Sequence, residues 1–283
     1  MTLWLSRYQA QEILAAAKKG ANEADISVDL GLTESTLRIE ADSVIFPDGQ
    51  MLPLRILEKI SKGPVCTIVE CGSAYRIQFF RKETNKVYRL VATGKDTPPT
   101  AELGGFRMHR TKGTDPAKDT ESKIAAIKPV RGSRVLDTCT GLGYTAIAAV
   151  DAGADEVHTF EADEGMVNLR EANPWSMRLQ DGRIRKVLGD VSAGLGGFAD
   201  GFFDSVIHDP PSMNIAGELY SLEFYSQLHR VMRGGGRLFH YVGAPRTKYR
   251  GLNPVVGVMR RLRDAGFSRI ARKADALGVT ALR

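Results

Sequence analysis

Two acids at the ends of apolar runs frame the chemistry open to this sequence. The first is Asp137, which closes the run Arg134–Asp137 and leads into Thr138-Cys139-Thr140-Gly141-Leu142-Gly143-Tyr144. Glycines at a strand-to-helix turn let a ligand come close to the backbone. A turn built for pyrophosphate gains nothing from a carboxylate, because the helix N-terminus there meets an anion. A ligand with an ammonium and a sulfonium does gain. The second acid is Asp209, in Val206-Ile207-His208-Asp209-Pro210-Pro211-Ser212. Its two prolines stiffen the turn and remove two backbone donors, leaving carbonyls turned outward. A carboxylate beside a fixed carbonyl gives an amino group two acceptors while its lone pair attacks carbon.

These residue types suit S-adenosylmethionine as the ligand. Asp137 would receive the methionine ammonium, directly or through water, beside Gly141 and Gly143. Glu161 ends the second apolar run, 24 positions after Asp137, and would accept from both ribose hydroxyls. Asp190 follows Gly189 and would accept from the adenine amino group, with Val191 packed on the ring. Capping a helix is an equally open role for Asp190. Thr138, Tyr144 and Ala162 complete the expected cofactor lining. Asp209, Pro210 and Pro211 would hold the acceptor nitrogen, and a rigid turn without chemistry is the competing reading. His208 reads as a structural group rather than a base, and Cys139 as a packing residue rather than a nucleophile.

From Val135 to about Tyr241 the chain resembles the class I S-adenosylmethionine-dependent methyltransferases, on Asp137–Gly143, Glu161, Asp190 and Asp-Pro-Pro. More narrowly, Leu136–Ala148, Asn173-Pro174-Trp175, His208–Ser212 and Phe239–Gly243 resemble a group of predicted archaeal methyltransferases with no settled substrate. The resemblance implies a seven-stranded, Rossmann-like α/β sheet with its last strand antiparallel. Asp-Pro-Pro is similar to the motif of methyltransferases acting on adenine N6, guanine N2 or glutamine amides. Those enzymes place an aromatic residue after the second proline, where this chain has Ser212. Tyr220, Phe224 or Tyr249 would have to supply the ring. A competing stretch, Ala216-Gly217-Glu218-Leu219-Tyr220-Ser221 followed by Phe224-Tyr225, resembles the spermidine synthase family. That implies aminopropyl transfer as the alternative reaction, although Asp137 ahead of the turn departs from that family's pattern. A non-catalytic RNA-binding protein with a relic cofactor fold is the remaining reading.

Strand and helix patterns alternate from Arg134 onward, which predicts a parallel sheet with helices on both faces. The strands are expected at Arg134–Asp137, Glu156–Glu161, Ile184–Leu188, Phe203–His208 and Gly236–Tyr241, then a closing pair at Ser268–Lys273 and Ala276–Ala281. Helices are expected to begin near Tyr144, Asp163, Leu219 and Pro254. Ahead of this lies a small α+β module. Its helices are expected at Ser6–Lys19 and Leu54–Ser61, and its strands include Ile26–Leu30, Thr36–Glu40, Val65–Glu70, Tyr75–Phe80 and Lys86–Val91. Thr93–Thr114, with Pro98-Pro99, Gly104-Gly105 and Gly113, reads as a linker or loop. The expected domains are therefore 1–96, accessory or substrate-binding, and 97–283, the methyltransferase.

The 283 residues are 43% apolar and 25% charged, the composition of an ordinary soluble globular chain. No window holds the ~18 consecutive apolar residues of a membrane span, and no secretory signal is visible. Cys66, Cys71 and Cys139 cannot build a disulfide framework, which points to the reducing cytoplasm, and no spacing suggests a metal site. The 39 basic and 33 acidic residues leave +6, favouring an anionic partner. Arg246, Lys248 and Arg250 flank Tyr249, a pattern suited to single-stranded or looped RNA. Tyr220, Arg246, Tyr249 and Arg250 are the expected substrate contacts. Structured RNA, such as tRNA or rRNA, is the expected acceptor, with a small amine or a protein side chain as alternatives.

Overall fold

The structure is a computed structural model that describes residues 2–129, 131–243 and 254–283. It forms two compact units, Met1–Ala117 with Gly165–Met177, and Lys118–Glu164 with Arg178–Arg283. The first edge falls at 117/118, beyond the Thr93–Thr114 connector.

The first unit runs β1 (Leu3–Leu5), α1 (Arg7–Lys18), β2 (Glu23–Ile26), β3 (Ser35–Ile39), β4 (Ser43–Ile45), β5 (Met51–Pro53), α2 (Leu54–Ser61), β6 (Thr67–Glu70), β7 (Ser73–Arg76), β8 (Gln78–Arg81), β9 (Lys86–Val91), β10 (Thr100–Leu103) and β11 (Phe106–Arg107). Its strands make three antiparallel sheets, ordered β2-β3-β4-β5, β1-β6-β7 and β11-β10-β9-β8. A capping box starts α1. The Ser6 hydroxyl accepts from the Tyr8 N–H while the Gln9 side chain accepts from the Ser6 N–H. Leu3, Leu5, Ile13, Leu37, Leu52, Leu57 and Val69 form the core of this unit.

Several local expectations change here for identifiable reasons. Of Ile26–Leu30 only Ile26 lies in a strand, because the Asp29 carboxylate accepts from the Leu32 and Thr33 N–H groups and folds the chain into a turn. The run Tyr75–Phe80 breaks at Ile77, which is buried, into β7 and β8 of different sheets. The connector is not all loop. Ala101 pairs with Leu90, and Leu103 pairs with Phe106 across Gly104-Gly105, both at positive φ, so these glycines turn a hairpin.

Residues 165–177 pack within this first unit. The Trp4 and Trp175 indole N–H groups donate to the Ala172 and Leu30 carbonyls at 2.9 and 3.1 Å. The Tyr88 ring, stacked on Phe79, fills the place a side chain at residue 165 would take. Its atoms lie 2.5 Å from a Cβ built on Gly165.

The second unit follows with α3 (Pro116–Ile127), β12 (Ser133–Asp137), α4 (Tyr144–Asp151) and β13 (Ala154–Glu161); past α5 (Glu164–Glu171), which belongs to the first unit from Gly165 on, come β14 (Ile184–Leu188), α6 (Val191–Gly194), β15 (Phe203–His208), α7 (Leu222–Val231), β16 (Met232–Tyr241), α8 (Pro254–Asp264), β17 (Ser268–Lys273) and β18 (Gly278–Leu282). One seven-stranded sheet has the order β14-β13-β12-β15-β16-β18-β17. The first five strands in that order are parallel, and β18 runs antiparallel to both its neighbours. This is the Rossmann-like class I methyltransferase sheet, with the last strand of the chain antiparallel. The central pairs Val135-Leu136, Val206-Ile207 and Leu238-Phe239 are buried on both faces of the sheet. Leu136, Val206 and Leu238 pack into one core, while Val135, Ile207 and Phe239 pack into another. A 3₁₀ turn, Gly217–Tyr220, comes before α7, which starts at Leu222 with Ser221 as its cap. The strand order reverses between β12 and β15, and a crevice at the carboxyl ends of such strands is where open α/β sheets bind ligands. Among the described residues no helix is long and apolar enough to cross a membrane.

Replacing a helical glycine by alanine ordinarily stabilises a helix by up to ~1 kcal/mol. Gly165→Ala should instead destabilise the protein by about 1–3 kcal/mol, because the buried Tyr88 ring cannot give way. In a Tyr88→Ala background the same change should stabilise. Chemical denaturation of the four variants measures both signs, and a loss of equal size in both backgrounds would contradict this packing.

Candidate active site

The carboxyl ends of β12, β13 and β15 carry the acids singled out by the sequence. β12 ends at Asp137, and the turn to α4 passes through Gly141 and Gly143, at φ +53° and +84°. Gly143 has a second reason to lack a side chain, since a Cβ there would overlap Leu179. Asp137 is fully buried. Its Oδ2 accepts from the hydroxyls of Thr145 at 3.1 Å and Thr159 at 2.9 Å, while Oδ1 has no partner among the described residues. Burial pushes this carboxyl up to about 7, and the two threonine hydrogen bonds pull it back only in part.

Glu161, at the end of β13, ties its own strand to the glycine turn. It accepts from the Gly141 N–H at 2.8 Å and from the Asp163 N–H at 2.9 Å. Ala162 beside it is exposed. Asp190 is also exposed and caps α6, accepting from the Ser192 N–H at 2.7 Å, with Val191 buried behind it. Of the two roles open to Asp190, capping is therefore made, and it uses Oδ1.

Asp209 lies two residues past Ile207, the register partner of Asp137, so both acids sit at the same edge of the sheet. Its side chain is 22% exposed, and its Oδ2 is 2.6 Å from the Lys123 ammonium. Pro210 is buried and Pro211 exposed. The Tyr220 hydroxyl donates to the Pro211 carbonyl at 2.9 Å, and burial pushes that hydroxyl up, so it stays protonated. Tyr220 is itself buried, which makes it a brace for the acceptor turn. Arg246, Tyr249 and Arg250 lie outside the described residues.

His208 is a structural group. Its Nε2–H donates to the Leu219 carbonyl at 2.9 Å, which leaves Nδ1 to accept from the Thr138 hydroxyl at 2.7 Å. Burial lowers this imidazole to about 3, so it is neutral. Burial likewise raises the Cys139 thiol well above its usual range, which removes it as a nucleophile at neutral pH. Sequence reasoning misses Lys123 and Asp119. Both are on α3, Lys123 is 3% exposed, and their side chains meet at 2.7 Å. The available signal was a lysine on a stripe with Thr120, Ile124 and Ile127, four residues after an acid.

No protein-family profile matches the chain. The uncharacterized protein MJ1233 of Methanocaldococcus jannaschii is 44% identical over 280 residues, which cover 97% of this chain and 93% of that one. The chain belongs to the family of that archaeal protein. It is also 30% identical over 201 residues to polyamine aminopropyltransferase 2 of Streptomyces coelicolor, over 67% of this chain but 35% of that protein. Among solved structures, a spermidine synthase in complex with the transition-state analogue AdoDATO is similar at a TM-score of 0.55. It has 14% identity and covers 72% of this chain and 71% of its own. That likeness is one of fold.

The raised Asp137 carboxyl has a consequence for stability. Its ordinary value is 3.8 and its folded value about 7, so the folded state holds the proton more tightly. The stability this contributes is complete below 3.8 and is lost as pH rises through about 7. Asp137→Asn cannot ionise. The melting temperature of the ligand-free variant, relative to wild type, should therefore rise between pH 5 and pH 8. A difference that is flat over that range would show that Asp137 is not held protonated by burial.

Proposed function

We propose that the chain is an S-adenosylmethionine-dependent methyltransferase acting on an amino nitrogen, with structured RNA, tRNA or rRNA, as the acceptor. The observation that carries this reading is the pair of acids at one sheet edge: Asp137 buried with an oxygen unpartnered, and Asp209 two residues past its register partner. A buried carboxylate oxygen without a partner suits a cation, and the left-handed Gly141 and Gly143 suit a ligand lying close to the backbone. The residues therefore fit the cofactor. Asp137 would hold its ammonium, Glu161 its ribose hydroxyls, and Asp190 and Val191 its adenine. When bound, the cofactor supplies an electrophilic methyl carbon on a sulfonium.

The remaining work falls to residues of the acceptor turn. Asp209 and the Pro210 carbonyl accept from the two hydrogens of the amino group and so direct its lone pair. Asp209 also receives the proton released on transfer, and its partial exposure lets water carry that proton away. The rigidity of the turn supports the alignment, since Tyr220 pins the Pro211 carbonyl. RNA as acceptor is supported by the net charge of +6.

A second reading, aminopropyl transfer to a polyamine, is favoured by the likeness to the Streptomyces aminopropyltransferase and the spermidine synthase. Assays with S-adenosylmethionine and with its decarboxylated form, each offered fractionated RNA, protein and polyamines, separate the two. Label should pass from the methyl group into RNA. Transfer only from the decarboxylated form, into a polyamine, would replace the first reading by the second.

Two variants test the roles. Glu161→Ala should lose about 1.5–3 kcal/mol of cofactor affinity by calorimetry, the size of a charge-assisted hydrogen bond. Asp209→Asn should slow turnover by a factor of order 10² or more while cofactor affinity stays nearly constant. Full turnover by Asp209→Asn would refute the acceptor role. Substrate affinity independent of salt would exclude RNA.

A further inference from the structure

The Lys123 ammonium sits between two carboxylates, 2.7 Å from Asp119 Oδ2 and 2.6 Å from Asp209 Oδ2. It also lies 5.1 Å from the centre of the Tyr241 ring, close enough for a cation–π contact. Lys123 and Asp119 are almost wholly buried, at 3% and 0%, whereas Asp209 retains 22% exposure. The lysine therefore grips Asp209 from its buried side and takes one of its two oxygens. Desolvation alone would lower the ammonium, but Asp209 and then Asp119 outweigh it and hold the group raised and charged. Among the described residues Asp137, Cys139 and Tyr220 also interact electrostatically with Asp209, and none of these three is a cation.

From this geometry we infer that Lys123 is a positioning residue for the transfer reaction. It fixes the plane of the Asp209 carboxylate and presents Oδ1 to the acceptor. Asp119 acts one step further back, holding the lysine from one helical turn earlier on α3. The inference rests on the reading of Asp209 as the acceptor acid. A carboxylate with two rotatable bonds and partial exposure samples several orientations, and a short charge-assisted bond to a buried group removes most of them. Alignment of nucleophile and electrophile within a fraction of an ångström is what such a restraint protects. Two carboxylates against one ammonium also leave a net negative charge beside the place where the attacking nitrogen becomes positive.

The test compares kinetics with cofactor binding. Lys123→Met keeps the length of the side chain and removes the charge. Its kcat should fall about 10- to 100-fold, while cofactor affinity by calorimetry changes less than about threefold. A merely structural lysine would not move the balance between kcat and cofactor affinity. Removing one member of a buried ion pair can prevent folding, so Asp119→Asn/Lys123→Met, which also removes the stranded acid of α3, is measured alongside. It should show the same loss. The combination Lys123→Met/Asp209→Asn should be no slower than Asp209→Asn alone, since the lysine acts through Asp209. Native kcat in the folded Lys123 variants, or losses that multiply in the combined variant, would overturn the inference. Full activity in Asp209→Asn would instead overturn the reading of Asp209, so the two failures are distinguishable.

Discussion

A carboxylate oxygen buried without a partner at the end of β12 is the constraint around which the second unit is arranged. Charge taken out of water costs several kcal/mol unless something compensates it. Thr145 and Thr159 satisfy one oxygen of Asp137 and leave the other bare. The carboxyl responds by holding a proton up to about pH 7. A cation at the bare oxygen removes that cost, so part of the affinity for a cationic ligand is stored in the ligand-free fold. The glycine turn above it follows from the same need, since a ligand reaches a buried acid only where the backbone carries no side chain.

Asp209 meets a similar problem at the same sheet edge in a different way. It keeps partial contact with water and takes a buried lysine as its partner. One acid thus has an oxygen without a partner and the other is paired with a cation, which in the proposed function would divide the edge into a ligand-holding side and an acceptor side. Beneath both, the polar groups are engaged within the fold. His208 uses both ring nitrogens, on Thr138 and Leu219, and Tyr220 pins the Pro211 carbonyl. His208 is kept neutral by burial, so it adds no competing charge.

The parts of this arrangement that were legible in the sequence are the local ones. An apolar run ending in Asp137, a turn with Gly141 and Gly143, and Asp209 before two prolines are each contained within about ten residues. Strand–helix alternation carried the parallel run of the sheet as well, because each parallel pair needs a crossover helix. Where expectation and structure parted in the first unit, a single residue had redirected the chain. Asp29 drew backbone donors into a turn, and Ile77 left one sheet for another. The hairpin at Gly104-Gly105 was hidden because a strand defined by its partner β9 has little pattern of its own.

By itself the sequence determined the class of the second unit and the identity of its acids, since both depend on periodicity and on residue type at the end of an apolar run. Only the tertiary structure decided what those acids are doing. That one oxygen of Asp137 is bare, that Glu161 holds the glycine turn, and that Tyr220 braces rather than lines the site all depend on distances between segments far apart in the chain. Lys123 is the clearest case. It lies 86 positions from Asp209, and only the packing of α3 against the sheet edge brings the two charges within 2.6 Å and shuts water out. Electrostatic strength depends on separation and on the surrounding dielectric. A linear sequence specifies neither until it has folded.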